Sequence, residues 1–230
     1  MISKHEFIFR GTRIPYWQKG DSPRLLIVSG AHGDEHGVVP IVSREIEKQA
    51  SALRDFIYIP ELSPSAMRRK TRLNENGEDI ERGFYEGSPH TEAHAIMEFL
   101  RGRTFDLCVS FHEDKEWNGF YLYDIAQKLN MQGFAPLCES LVRRGLSLHT
   151  GVDDREDPLL RHRVENGYVY IPIDRTLIKQ PFFGSWLVKH AIVSRILVPE
   201  VPMRLSREEK MHVVSACFDY IAECTAGAGR

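Results

Sequence analysis

Leu25-Leu26-Ile27-Val28-Ser29-Gly30-Ala31-His32-Gly33-Asp34-Glu35 is the stretch on which the reading of this chain turns. Four branched apolar residues that run into Ser and Gly describe a short buried strand ending in a turn. His32 and Glu35 follow at once, three apart. An imidazole nitrogen and a carboxylate oxygen are both ligands that zinc prefers. Loops just past strand carboxyl ends are also where open α/β sheets place their sites. His-x-x-Glu alone is a weak signal. It gains weight because a second apolar run, Phe105 to Phe111, ends in the same way at His112.

Working outward, strand-like and helix-like segments alternate. Phe7 to Pro15 reads as an edge strand and Arg24 to Gly30 as a buried one. Val38 to Leu53 is a helix, with Val39, Val42, Ile46 and Ala50 on one face. Phe56 to Leu62 alternates like a strand. Residues 63–88 are polar and aperiodic, a long loop of the kind that carries function. His90 to Leu100 is a helix, Phe105 to Phe111 a strand, Gly119 to Tyr123 a short aromatic strand, and Ile125 to Leu146 mostly helix. Residues 151–184 are irregular around a strand at Tyr168 to Ile173. Ser194 to Val201 is a third buried strand, which carries Glu200. Ser206 to Glu223 closes the chain as a helix, with Ser206 and Glu209 forming a capping box. The pattern predicts one α/β domain over residues 1–230, a mixed and largely parallel sheet with helices on both faces.

Composition narrows the function classes. Of 230 residues, 42% are hydrophobic, and Lys plus Arg total 30 against 32 Asp plus Glu, a net charge of −2. That balance gives no support to a nucleic-acid or membrane-surface role. No apolar run approaches the ~20 residues of a membrane helix. Cys108, Cys138, Cys217 and Cys224 form no C-x-x-C pair, and Cys217 and Cys224 stand too far apart on one helix to bridge. Unpaired thiols and the lack of a leader-like apolar segment point to the cytoplasm.

The three buried strand ends bring His32 and Glu35, His112, and Glu200 toward one place. Two His and one carboxylate make a three-ligand catalytic zinc set with a position left for water. Glu200 lies in the apolar frame Ile196-Leu197-Val198-Pro199-Glu200-Val201-Pro202. Burial there would raise its pKa and suit it to proton transfer. The long loop adds Arg68, Arg69, Lys70, Arg72 and Arg82, donors suited to an oxyanion or a substrate carboxylate.

Five segments occur in an order that resembles the zinc carboxypeptidase superfamily. They are Gly30-Ala31-His32-Gly33-Asp34-Glu35, Arg72-x-Asn74-x-x-Gly77-x-Asp79-Ile80-x-Arg82-x-Phe84, Ser110-Phe111-His112-Glu113-Asp114, Phe183-Gly184-Ser185-Trp186 and Pro199-Glu200. The likeness runs from about residue 25 to 205. It is closest to small bacterial murein peptide amidases and metallocarboxypeptidases, with the succinylglutamate desuccinylase and aspartoacylase branch as a near neighbour. The resemblance implies one zinc per chain held by His32, Glu35 and His112. It implies Glu200 as general acid/base and Arg72 as oxyanion stabiliser, with Arg69 as a second candidate. It also implies Arg82 as a carboxylate anchor. The chain departs from the family where Glu81 precedes Arg82 in place of Asn, which favours a substrate bearing an amine. Tyr168, Tyr170, Tyr121 and Tyr123 compete for the family's pocket tyrosine, and Tyr168 is taken as the substrate-binding one.

Other readings of the same residues are weaker. His32-Gly33-Asp34-Glu35-His36 also spells H-x-x-E-H, but that motif needs a helix, and here a strand precedes it and Gly33 interrupts it. His90 and His94 share a helix face without an evident third ligand. The Arg68 to Arg72 cluster is followed by Glu75, Glu78, Asp79 and Glu81, which argues against a phosphate patch. Trp117, Phe120, Tyr121 and Tyr123 suit a pocket wall or the sheet core equally. The expectation is thus a zinc hydrolase of amide bonds acting on short peptides, cell-wall peptides among them. The alternatives are an N-acyl amino acid deacylase and a non-catalytic peptide binder on the same fold.

Overall fold

The computed structural model describes residues 1–174 and 179–226. In chain order the strands are β1 (Ile2–Phe9), β2 (Thr12–Lys19), β3 (Leu25–Val28), β4 (Phe56–Ile59), β5 (Leu107–Ser110), β6 (His112–Asp114), β7 (Tyr121–Ala126), β8 (Gly151–Val152), β9 (Arg163–Val164), β10 (Tyr168–Pro172) and β11 (Arg195–Pro202). The helices are α1 (Val39–Gln49), α2 (Pro64–Arg69), α3 (Thr91–Leu100), α4 (Phe134–Arg143), α5 (Phe183–Lys189) and α6 (Arg207–Ala226). Nine strands form one sheet in the order β1-β2-β4-β3-β5-β11-β7-β10, with β6 pairing β11 beyond the end of β5. The centre, β4-β3-β5-β11, is parallel, and β2 and β7 flank it antiparallel. The sheet is mixed and mostly parallel, as the alternation of elements predicts.

Burial on both faces explains the continuous apolar strands. Leu25 and Ile27 pack into a core with α1, α4 and α6, while Leu26 and Val28 pack into a second core with α3 and α5. Ser206 and Glu209 exchange hydrogen bonds at the start of α6: Ser206 N–H donates to Glu209 Oε2 at 2.8 Å and Glu209 N–H to Ser206 Oγ at 3.3 Å. All four cysteines are free. No described helix is long and apolar enough to cross a membrane.

Three local expectations are corrected. The single strand expected over Phe7 to Pro15 is the middle of a hairpin, β1 and β2, turning at Arg10 and Gly11 with φ of 47° and 86°. The helix expected from Ile125 starts only at Phe134, because Ile125 and Ala126 continue β7, held between β11 and β10. The long loop carries the short helix α2, which ends where Lys70 takes a left-handed conformation.

Candidate metal centre and active site

The His32–Glu35 turn is shaped by close packing against the loop after β4. Gly33 N–H donates to the Thr71 carbonyl at 2.9 Å, and a Cβ at Gly33 would sit 1.9 Å from the Ala66 carbonyl oxygen, so only glycine fits. Gly30, with φ +64°, turns the chain out of β3. His32 is extended and begins a single 3₁₀ turn, Gly33–Glu35, which swings Glu35 back toward the His32 ring. Glu35 is therefore buried beside two imidazoles, and its oxygens lie 2.6 Å from His32 Nδ1 and 2.9 Å from His112 Nδ1.

The other nitrogen of each ring is tied down. His32 Nε2 lies 3.0 Å from Asp79 Oδ1, and His112 Nε2 lies 3.0 Å from Ser110 Oγ. Such partners orient an imidazole and leave its opposite nitrogen to face a metal. One donor atom each from His32, Glu35 and His112 falls within 4.8 Å of the other two, with all three side chains buried. Two nitrogens and one carboxylate oxygen are a donor set that fits zinc. His90 and His94 join no comparable grouping among the described residues.

Electrostatics make the cluster self-consistent. Burial works against the Glu35 carboxylate, but the two histidines hold its pKa far below the usual range. Burial likewise opposes protonation of the rings. Glu35 overcomes it at both, helped by Asp79 at His32, and raises them to about 10 at His32 and about 9 at His112. Glu113 braces the arrangement: its N–H donates to Glu35 Oε2 at 3.2 Å, its carboxylate accepts from the Val38 N–H at 3.0 Å, and it pairs with buried Lys210.

Glu200 stands opposite His112 in the β11–β6 register and opposite Tyr121 in the β11–β7 register. Burial pushes its carboxyl up to about 8, with the His112 charge pulling the other way. Glu200, the triad, Arg72, Glu81 and Arg82 all line one cavity of about 740 Å³. Arg72 donates to Asp79 Oδ2 at 3.2 Å and lies 3.8 Å from Glu35 Oε1. Arg82 is paired with Asp157 and lies 3.6 Å from Asp79. Glu81 has one buried oxygen, Oε2, without a hydrogen-bond partner among the described residues, and burial raises its pKa.

Two expected substrate contacts are not brought into the cavity. Arg69 is exposed on the last turn of α2 and does not line it. Tyr168 points to the other face of the sheet, where its hydroxyl donates to Asp124 Oδ2 at 2.6 Å and its ring packs on Phe134. Tyr121 and Tyr123 are the tyrosines whose side chains face the cavity, while Tyr170, two residues on from Tyr168, shares its face and donates to the Ala126 carbonyl at 3.2 Å. Tyr121 donates to Asp114 Oδ2 at 2.6 Å and Tyr123 to Asp153 Oδ2 at 2.7 Å. Sequence reasoning assigned no role to Asp79 or Ser110. Ser110 was within reach of a period-two argument, since it lies two residues before His112. Asp79 had no local signal.

No family model matches the chain, and no curated protein matches it in sequence. Solved structures do resemble it. A candidate metallopeptidase from Shewanella baltica OS155 superposes with a TM-score of 0.75 at 18% identity, over 97% of this chain and 86% of that one. Murein-tripeptide amidase MpaA from Escherichia coli O157 gives 0.57 at 18% identity, over 96% and 91%. A Pseudomonas aeruginosa metallo-carboxypeptidase, in complex with (2-guanidinoethylmercapto)succinic acid, gives 0.61 at 15% identity, over 94% of this chain and 62% of that one. The chain therefore has the zinc carboxypeptidase-like fold, at a size close to that of the small bacterial metallopeptidases and the murein-tripeptide amidase.

Proposed function

We propose that the protein is a zinc-dependent hydrolase of amide bonds, of the metallocarboxypeptidase or peptide amidase type, acting on short peptides. His32, Glu35 and His112 would hold the ion, one per chain. When bound, zinc supplies Lewis acidity toward a carbonyl and acidifies water. Glu200 is the general base: it takes the proton of the attacking water and hands it to the leaving amine. Its raised pKa suits that exchange near neutral pH. Arg72, already turned toward the triad, donates to the carbonyl oxygen as negative charge develops there.

The observation that carries this reading is the convergence of two orientated imidazoles and the Glu35 and Glu200 carboxyl groups at the ends of neighbouring strands. Arg82 is engaged by Asp157. That favours an amidase over an enzyme anchoring a bare carboxylate on this arginine. The N-acyl amino acid deacylase uses the same chemistry on a different acyl group, so parallel assays on peptides and on N-acyl amino acids separate the two. Glu200→Gln should keep its zinc and lose about 10²–10⁴-fold in kcat. Loss of metal from that variant would remove the proposed role of Glu200.

A further inference from the structure

The cavity is far more acidic than the chain as a whole. Among the described residues, thirteen carboxyl side chains line it, against three side chains that are always cationic, Arg72, Arg82 and Lys115. Both arginines are already paired, with Asp79 and Asp157. A bound divalent ion would offset only part of the excess. The net charge of the whole protein is only −2, so the acidity is concentrated here.

Two segments build an acidic wall. One is the turn Asp114-Lys115-Glu116 after β6, and the other is Asp153-Asp154-Arg155-Glu156-Asp157. The second is preorganised: Asp154 Oδ1 accepts from the N–H groups of Glu156 at 2.8 Å and Asp157 at 2.9 Å. The two segments are packed together: Trp117, next to Glu116 in the chain, donates its Nε1–H to the Asp153 carbonyl at 2.6 Å, and burial with the Asp154, Asp114 and Glu156 charges raises the pKa of Glu116. The one cation of the second turn, Arg155, stacks 5.1 Å from the centre of the Trp117 ring. A separate observation comes from Glu81, which lines the same cavity near His32 and His112. Glu81 Oε2 is a buried carboxyl oxygen with no hydrogen-bond partner among the described residues.

Like charges held together in a cleft raise the local concentration of cations and repel anions. A buried acceptor without a partner costs free energy until a ligand's donor reaches it. We propose that this cavity selects a positively charged substrate, a peptide or acylated amine bearing an ammonium or guanidinium group beyond the scissile bond. The cation is held by the wall of Glu116, Asp154 and Glu156. Glu81 receives a donor from the same substrate. This inference rests on the hydrolase reading of the cavity for the bond that is cut, but binding tests it separately.

The experiment uses the zinc-loaded protein and alanine tripeptides in which each position in turn is lysine, norleucine or glutamate. Binding is read by calorimetry and cleavage by mass spectrometry. At one position at least, lysine should bind tenfold or more tighter than norleucine, with glutamate weakest. The preference should shrink in 0.5 M salt, where the Debye length is about a third of its value at 0.05 M. In Glu116→Gln/Glu156→Gln, lysine should lose at least fivefold while the norleucine affinity changes less. Equal binding of lysine and norleucine peptides, or no binding of either, overturns the proposal even if peptides are cut. Selective binding of lysine peptides without any cleavage upholds it and instead removes the hydrolase reading.

Discussion

Two buried polar centres sit on opposite faces of the same sheet, and they are wired differently. Behind the sheet, Asp124 on β7 accepts from Arg195 Nε at 2.8 Å, Arg195 Nη2 at 2.6 Å and Tyr168 Oη at 2.6 Å. Arg195 also reaches Tyr220 and the Asn130 carbonyl. The demand of that centre is met within the protein. In front of the sheet, burial raises the pKa of Glu200, and Glu81 Oε2 has no hydrogen-bond partner among the described residues, although both rings of the triad beside them are hydrogen-bonded at each nitrogen. A satisfied buried ion pair braces a fold, and its loss exposes the full cost of the remaining charge. A centre left short of partners is poised for a ligand or a proton.

The largest effects should separate these two roles. Asp124→Asn leaves Arg195 without its charge partner and should destabilise the protein by about 3–5 kcal/mol, read by urea denaturation. Zinc content of the fraction that remains folded should be unchanged. Glu200→Gln should do the reverse, with activity lost and the denaturation midpoint held. If both variants lose stability alike, the distinction between the two centres fails.

A smaller effect tests how the histidines are held. Asp79→Asn removes the negative partner of His32 Nε2 and should weaken zinc affinity about 10–100-fold, with little change in folding midpoint. An unchanged affinity would show that Asp79 does not orient the ligand.

The gentlest test is the pH dependence of metal uptake. Without metal, Glu35 keeps both rings protonated through neutral pH, so binding must expel two protons. Affinity should climb steeply as pH rises from 6 toward 9, by about a hundredfold per unit if both protons leave, and level off near the raised pKa values. Competition with a chelator of known pH response measures it. A flat profile would contradict the protonated resting state.

The parts of this arrangement that local chemistry decides were legible in the sequence. Leu25 to Val28 could only be a buried strand, the Ser206–Glu209 pair is self-contained, and strand ends bring His32, Glu35 and His112 to within 4.8 Å. Long-range pairing decides the rest. Ile125 looks like the start of a helix until β10 and β11 are seen on either side of it. Tyr168 faces α4 because the β10–β7 register puts it on the Asp124 side, and nothing in its own neighbourhood reveals that. Arg69 and Arg72 differ by less than one turn, yet α2 ends between them, so Arg69 points to solvent and Arg72 to the triad. Asp79 is brought to His32 by a loop without periodicity. There, Asn74 Oδ1 accepts from the N–H groups of Asn76 and Glu78, both at 2.9 Å.

The most direct test of the central claim is the metal content of the purified protein beside His112→Ala, by elemental mass spectrometry. The account predicts one zinc per wild-type chain and its loss from the variant, with the fold retained by circular dichroism. Absence of zinc from both, even after zinc is supplied, would contradict the metal centre and the hydrolase built on it.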